Sequence, residues 1–164
     1  MNARPIALAL LLFLPACGGS SDPRALTDEG SKELNSGDFT GAAKSFQAAL
    51  DNLGQDSANA EWKRAKLGLI QAHVHTDAAQ AKDEFLAFAT AAPGKVTDQD
   101  FNLIGGRLGE AGKLAEAEAV LKAGMKAFPE SPHLKALRTD LGKRAEASGA
   151  STDTLTGLGY VGDQ

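Results

Sequence analysis

The chain has 164 residues, of which 43% are hydrophobic and 23% are charged, a balance typical of one small globular domain with short tails. Alanine greatly outnumbers isoleucine and valine, which favours helices and argues against a β-sandwich or a parallel sheet. The formal net charge of −4 argues against nucleic-acid binding through a broad basic surface, and the single cysteine excludes a disulfide framework and a cysteine-based zinc site.

The first 16 residues have the pattern of a secretory signal peptide. One positive charge, Arg4, precedes an apolar run of nine residues from Ile6 to Leu14. A helix that crosses the hydrocarbon core of a bilayer needs about 20 residues, so this run is too short for a permanent membrane span. Residues 1–16 are therefore predicted to be an export signal that is removed.

The signal ends in the tripeptide Leu-Pro-Ala before Cys17, and Gly18 follows. A leucine three residues before a cysteine, with a small residue directly before it, resembles the lipobox of bacterial lipoproteins. The resemblance implies that the thiol of Cys17 is acylated and that residues 17–23 form a flexible tether to the membrane. Glycine rather than aspartate after the cysteine implies an outer-membrane lipoprotein that faces the periplasm. The alternative is an ordinary signal peptide cut nearby, with Cys17 a free thiol.

The middle of the chain contains an internal repeat. Glycines, small residues and bulky residues recur at matching spacings: Gly37, Ala42 and Phe46; Ala81, Phe85 and Pro93; and Gly112, Ala117, Leu121 and Pro129. A helical stretch with a central glycine precedes each copy, at Gly30, Gly68 and Gly105. The apolar residues of each copy follow the three-and-four spacing of an amphipathic helix, so each copy predicts a pair of helices.

The third copy carries the most specific motif. From Phe101 it reads Phe-x-x-Ile-Gly-x-x-Leu, which resembles the aromatic-x-x-Leu-Gly-x-x-Tyr core of the tetratricopeptide repeat. The resemblance covers residues 24–129 and implies an all-α fold, an α-solenoid of about three helix-turn-helix repeats that start near residues 23, 61 and 98. The helical domain is expected to span residues 24–147 and to end in a seventh helix that caps the last repeat.

Capping residues predict where several helices begin. Thr97 with Asp100 resembles a capping box, and Thr76 is expected to cap the helix that starts at Asp77. A proline directly after Ser131 predicts the start of the capping helix. The inward face of that helix is expected to carry Leu134, Leu137, Leu141 and Ala145.

The residues that could carry chemistry do not form a catalytic or metal-binding pattern. His73 and His75 are predicted to be a surface-loop pair rather than metal ligands, since side chains two residues apart on a helix point in different directions. Residues 105–113 are glycine-rich but lack the spacing, the Ser or Thr and the preceding strand of a phosphate-binding loop. Close packing at Gly105 and a turn at Gly112 explain these glycines better. We therefore predict neither an enzyme nor a bound cofactor.

By resemblance to the repeat family, the first helix of each pair lines a concave groove that binds extended or helical peptides. The groove positions of the family correspond to Thr27, Ser31 and Asn35; to Trp62, Lys66, Leu69 and His73; and to Gln99, Asn102, Gly106 and Glu110. Trp62, the single tryptophan, is either an exposed anchor for a partner or, as we favour, a core residue. The core interpretation places it on an apolar stripe with Ala58, Ala65, Leu69 and Ala72.

These features favour a non-catalytic scaffold or adaptor of the cell envelope, held at the membrane through Cys17, that binds a protein or peptide partner. The alternatives are a periplasmic small-ligand or metal-binding protein that uses the region around His73, and a self-associating structural protein of the envelope. The sequence does not determine the oligomeric state. Residues 148–164 are expected to be a flexible tail, and the apolar residues within it predict either a docking peptide or a disordered end. Those apolar residues are Leu155, Leu158, Tyr160 and Val161.

Overall fold

A computed structural model describes residues 22–54 and 59–150, together with Thr156. This part of the chain forms seven helices and no strand, so the predicted all-α fold is confirmed. The helices are α1 (Pro23–Ser36), α2 (Phe39–Leu53), α3 (Ala60–Thr76), α4 (Ala78–Ala91), α5 (Asp98–Glu110), α6 (Leu114–Ala127) and α7 (Pro132–Ala147). The predicted signal peptide, Cys17 and Ala58 lie outside the described residues, as does the tail from residue 151 onwards apart from Thr156.

Helices α5 and α7 begin where the sequence places their caps. The predicted capping box is confirmed: the Thr97 hydroxyl accepts a hydrogen bond from the backbone N–H of Asp100, and the Asp100 carboxylate accepts one from the backbone N–H of Thr97. Ser131 caps α7, also as predicted, by accepting from the backbone N–H of Leu134.

The prediction that Thr76 caps α4 is wrong. Thr76 is the last residue of α3, and its hydroxyl donates to the backbone carbonyl of Ala72. Asp77 takes the capping position instead, and its carboxylate accepts a hydrogen bond from the backbone N–H of Gln80. An ionised carboxylate near the positive end of the helix dipole is a better cap than a hydroxyl, which explains the shift by one residue.

The helices alternate between two layers. The odd-numbered helices α1, α3, α5 and α7 lie side by side in that order. Each of α2, α4 and α6 packs against the odd-numbered helix before it and the odd-numbered helix after it. This order of neighbours is that of a helical repeat, in which each helix pair packs against the next.

Glycines in the odd-numbered helices allow close packing. The ring of Phe46 in α2 lies between two of them: an added β-carbon would lie 3.0 Å from the ring at Gly30 and 2.4 Å from it at Gly68. At Gly105 an added β-carbon would lie 2.9 Å from a methyl carbon of Leu137 in α7. The predicted close packing at Gly105 is therefore confirmed.

Helix α3 divides the hydrophobic core into two clusters. The smaller cluster joins α2 to one face of α3 and consists of Ala42, Phe46, Ala49, Leu50, Ala65, Leu69 and Ala72. The larger cluster joins the opposite face of α3, through Leu67, Ile70 and Val74, to helices α4–α7. Trp62 is half-buried and packs against both clusters.

Helix α7 covers the end of the larger cluster, as predicted. Its inward residues Leu134, Leu137, Leu141 and Ala145 are buried. Among the described residues, no helix combines the length and the apolar character that crossing a membrane requires.

Candidate functional site

Two adjoining cavities lie between α2 and α4, above α3. No Cα atom of α2 lies within 8 Å of a Cα atom of α4, so the backbones of the two helices stay apart on either side of α3. The cavities have volumes of about 640 and 530 Å³ and share Gln47 and Asp51 in their walls. Together they form one depression, the α2–α4 cleft, into which α3 contributes Trp62, Lys66, Leu69 and His73.

One end of the α2–α4 cleft is apolar. The rings of Trp62 and Phe88 lie with their centroids 5.5 Å apart and their planes tilted by 60°. The indole Nε1–H of Trp62 donates a hydrogen bond of 2.9 Å to the carbonyl oxygen of Gly54, which orients the ring. Leu50 and Ala92 complete this end. Trp62 therefore fits neither interpretation alone: part of its side chain packs on the core clusters, and another part borders the cleft.

The other end of the cleft is polar and centres on the carboxylate of Glu84. This carboxylate accepts hydrogen bonds from the side chains of Gln80, at 2.7 Å, and Lys66, at 3.0 Å. Burial raises the pKa of Glu84, but the hydrogen bonds from Gln80 and Lys66 outweigh it, so the pKa lies below its ordinary value. Glu84 is therefore ionised at neutral pH and forms a balanced charge pair with Lys66 rather than a reactive base.

His73 lies at the polar end, and His75 does not. Nδ1 of His73 is 3.3 Å from Oε1 of Glu84 without hydrogen-bond geometry, and it has no hydrogen-bond partner in the described part of the chain. The ring of His75 instead stacks on Phe39 of α2, with the centroids 3.8 Å apart. The prediction of a surface-loop pair is wrong, because α3 continues to Thr76. The prediction that the two rings point in different directions is confirmed.

A metal centre at His73 is short of ligands. Within residues 22–54 and 59–150, no group of three or more His, Cys, Asp and Glu side chains lies close enough together to hold a metal ion. His73 and Glu84 alone fall short of the three or four protein ligands that zinc sites use. The oxygens of Glu84 also already accept hydrogen bonds from Gln80 and Lys66.

A second surface lies on the odd-numbered helices. Two cavities of about 440 Å³ each share Arg107 in their walls, and we call them together the odd-helix surface. One cavity is bordered by Asn35, Gln71 and His75, and the other, between α5 and α7, by Asn102, Gly106 and Glu110. Arg107 pairs with Glu110 at 2.9 Å, and both side chains are about half exposed. This surface is thus more polar than the apolar end of the α2–α4 cleft.

The residues predicted to line one groove are distributed over both surfaces. The α2–α4 cleft contains Trp62, Lys66, Leu69 and His73, and the odd-helix surface contains Asn35, Asn102, Gly106 and Glu110. Thr27 is fully buried, with its hydroxyl donating to the carbonyl of Pro23. Ser31 is half-buried and donates to the carbonyl of Thr27, so both hydroxyls are engaged within α1. Gln99 is exposed and borders none of these four cavities.

The division arises from the orientation of α3. The motif glycine of α3, Gly68, packs backwards against Phe46 of the preceding helix. The corresponding glycine of α5, Gly105, packs forwards against Val120 and Leu137 of the following helices. Equivalent positions of α3 and α5 therefore face different surroundings. The two helices share only the apolar-glycine pair of the motif, since Arg64 and Gln71 stand in α3 where α5 has Phe101 and Leu108.

The sequence analysis missed the walls of the cleft. On α4 these are Gln80, Glu84 and Phe88, which follow one another at intervals of four residues. Residues four apart share one face of a helix, so this spacing places them in a row. This four-residue spacing was the signal available in the sequence. It predicts a helix face that carries both polar and aromatic residues, whereas a fully buried helix face would carry only apolar ones.

Similarity to known proteins does not assign a function to either surface. No protein-family model matches the chain, and no curated protein and no solved structure matches it significantly. The function is therefore inferred from the chemistry of the residues that form the two surfaces.

Proposed function

We propose that this protein is a membrane-anchored, non-catalytic adaptor of the bacterial cell envelope. In this proposal the helices form a tetratricopeptide-like module, acylated Cys17 holds it at the periplasmic face of the outer membrane, and a protein partner binds in the α2–α4 cleft. The observation that carries the proposal is the separation of α2 from α4, which leaves Trp62 and Phe88 at the apolar end of an open cleft.

The apolar end has the features of a binding hot spot. The half-buried ring of Trp62 is the aromatic group that a partner can cover, and the buried side chains of Phe88 and Leu50, 6% and 8% exposed, form the apolar floor beside it. Aromatic residues that are already oriented lose little conformational entropy when a partner covers them, so they contribute strongly to affinity. The hydrogen bond from Trp62 to Gly54 holds this ring in place before binding. We expect one apolar side chain of the partner to bind here.

The polar end favours a partner segment that also carries polar groups. Glu84 is neutralised by Lys66, so neither charge calls for an opposite charge on the partner. Lys44 and Asp51 on the α2 wall are exposed and border this end. We therefore expect a partner segment with one apolar side chain for the apolar end of the cleft and polar residues about two helical turns away for the polar end.

Site-specific crosslinking in native envelopes tests the cleft. A photoreactive amino acid replaces Gln47, an exposed residue in the walls of both cavities of the cleft. In the matched control it replaces Asn52, which is exposed on the same helix outside the cleft. We expect one defined crosslinked protein from position 47 and none from position 52.

The same experiment with Cys17→Ser tests the anchor separately. The proposal predicts that the wild type fractionates with the membrane, that its mature amino-terminal peptide carries acyl chains, and that Cys17→Ser loses both properties. Equal crosslinking from positions 47 and 52, or none from either, would contradict the binding role. An unmodified Cys17 would contradict the anchor while leaving the cleft result to stand.

A further inference from the structure

The odd-numbered helices all begin at one end of the stack. Three side-chain contacts of 2.6 Å join the beginnings of neighbouring odd-numbered helices. The pairs are Asp28 with Arg64, Lys63 with Asp100, and Asp98 with Ser131. Because the chain enters the stack here, where Pro23 starts α1, we call this end the tether end.

The apolar end of the α2–α4 cleft lies at the tether end. Trp62 is the third residue of α3, and Gly54 and Ala92 directly follow the last residues of α2 and α4. The polar end lies at the opposite end of the stack, because Thr40 belongs to the first turn of α2 and His73 to the last turn of α3. The cleft therefore runs along the stack, apolar where the chain enters and polar at the far end.

The tether end is also the end nearest to Cys17. Asp22, where the described chain begins, is five residues after Cys17. Since an extended chain advances at most about 3.6 Å per residue, the Cα atoms of these two residues lie within about 18 Å of each other in any conformation. With Cys17 acylated, as proposed above, the membrane surface lies beside the tether end.

The residues around the tether end do not suit burial in lipid. Arg24, Asp28 and Arg64 are exposed there, and Asp51 is exposed beside the apolar end of the cleft. Each of these charges would have to leave water before this end could enter the hydrocarbon of a bilayer. An acyl chain would also match only the apolar end, whereas a peptide segment supplies an apolar side chain and polar groups in one ligand.

We propose that the partner is itself anchored in the membrane and that the α2–α4 cleft binds the segment of the partner directly next to its anchor. This proposal rests on the proposed acylation of Cys17. The apolar side chain of the segment binds beside Trp62, on the membrane side, and its polar residues lie farther from the membrane, towards Glu84. Since both proteins are then confined to one membrane surface, a modest affinity of the cleft suffices for binding.

Two spacers of equal length and different stiffness test this placement in native envelopes. Each spacer is inserted between Ser21 and Asp22 of the full chain that carries the photoreactive amino acid at position 47. Ten prolines hold the domain about 31 Å farther from the anchor, whereas ten glycine and serine residues have a mean span of about 17 Å and can fold back. We expect the proline spacer to lower the crosslink yield at least about tenfold and the glycine-serine spacer to lower it less than about threefold.

The outcomes separate this proposal from the adaptor function. Equal yields with both spacers, in variants that fractionate with the membrane, would show that the partner reaches the cleft from elsewhere, and would overturn the membrane-side placement alone. No crosslink in the chain without a spacer would contradict the adaptor function, and the placement would fall with it.

The direction of the bound segment is a second test. Crosslinks from Ala91, exposed at the apolar end, should reach partner residues nearer to the partner's membrane anchor than crosslinks from Thr40, exposed at the polar end. The reverse order would overturn the proposal.

Tryptophan fluorescence tests the orientation of the cleft without a partner. The full-length acylated protein is placed in vesicles of phosphatidylethanolamine and phosphatidylglycerol that carry dansyl-labelled head groups. Trp62, the single tryptophan, should lose more emission to the label than the tryptophan of a Trp62→Phe/Thr40→Trp variant. Equal losses would overturn the orientation, and quenching of Trp62 by lipids brominated in their acyl chains would assign the apolar end to lipid instead.

Discussion

The junction between α2 and α4 differs from the junction between α4 and α6. Both pairs of even-numbered helices flank an odd-numbered helix, α3 in the first case and α5 in the second. Helices α4 and α6 touch each other over α5, and their buried residues belong to one cluster. Helices α2 and α4 stay apart over α3, and the core is split there into two clusters.

The side chains at each junction account for the difference. At the closed junction, Phe85 of α4 packs edge-on against Phe101 of α5 at 4.9 Å, and Leu121 of α6 is buried in the same cluster. At the open junction, Gln47 and Glu84 border the gap, and such long polar side chains cannot be buried against each other without cost. The facing walls of the open junction therefore carry polar groups, whereas the residues that fill the closed junction are apolar.

The largest expected effect concerns the division of the core. Phe46→Ala should cost about 3–5 kcal/mol, because the fully buried ring fills the space beside two glycines. Since Phe46 belongs to the smaller cluster, we expect the loss of amide protection in native-state hydrogen exchange to concentrate in α1 and α2. Phe85→Ala, the matched change in the larger cluster, should lower protection from α4 to α7. Equal loss throughout the chain in both variants would show that the two clusters unfold as one unit.

Adding one methyl group at different glycines sharpens the same comparison. Gly68→Ala should cost about 2–3 kcal/mol, because the β-carbon would lie 2.4 Å from a rigid ring. Gly105→Ala should cost about 1 kcal/mol, since the end of the Leu137 side chain can rotate away. Gly106→Ala is the control and should stabilise by about 0.5 kcal/mol, because its nearest contact is 4.0 Å away. Urea denaturation of the three variants measures these differences, and equal costs at Gly68 and Gly105 would refute the asymmetry.

The sequence predicted the helices well because their signals are local. The capping box at Thr97, the serine cap at Ser131 and the glycine at position 105 each act within a few residues or within one repeated motif. The rotation of α3 was not predictable in the same way. Whether Gly68 packs forwards or backwards depends on Phe46, which lies in another helix and is one of several bulky residues with the same spacing. The cleft therefore had to be found from the packing.

The polar wall of the open junction predicts a dependence of stability on pH. Since the folded-state pKa of Glu84 lies below its ordinary value of 4.5, its contribution is present at neutral pH and is lost as the pH falls through the lowered value. Glu84→Gln should therefore lower the stability at pH 7 by about 1 kcal/mol, and the difference should shrink below pH 4.5. Thermal unfolding of both proteins between pH 7 and pH 3 tests this. Asp83→Asn, at an exposed neighbouring carboxylate, should show a smaller effect, and a difference for Glu84→Gln that grows towards pH 3 would reverse the predicted sign.

The smallest expected effect lies at the apolar end of the cleft. Trp62→Phe keeps an aromatic ring beside Phe88 but removes the hydrogen bond to Gly54, so we expect a loss of only about 0.5 kcal/mol. Trp62→Ala also removes the packing against both clusters and should cost several times more. Chemical denaturation followed by circular dichroism measures both variants, since each lacks the single tryptophan. If Trp62→Ala lowers the free energy of unfolding no more than Trp62→Phe does, the packing of the Trp62 ring on the two clusters does not stabilise the fold. The contact between Lys66 and Glu84 would then be the remaining stabilising contact across the open junction.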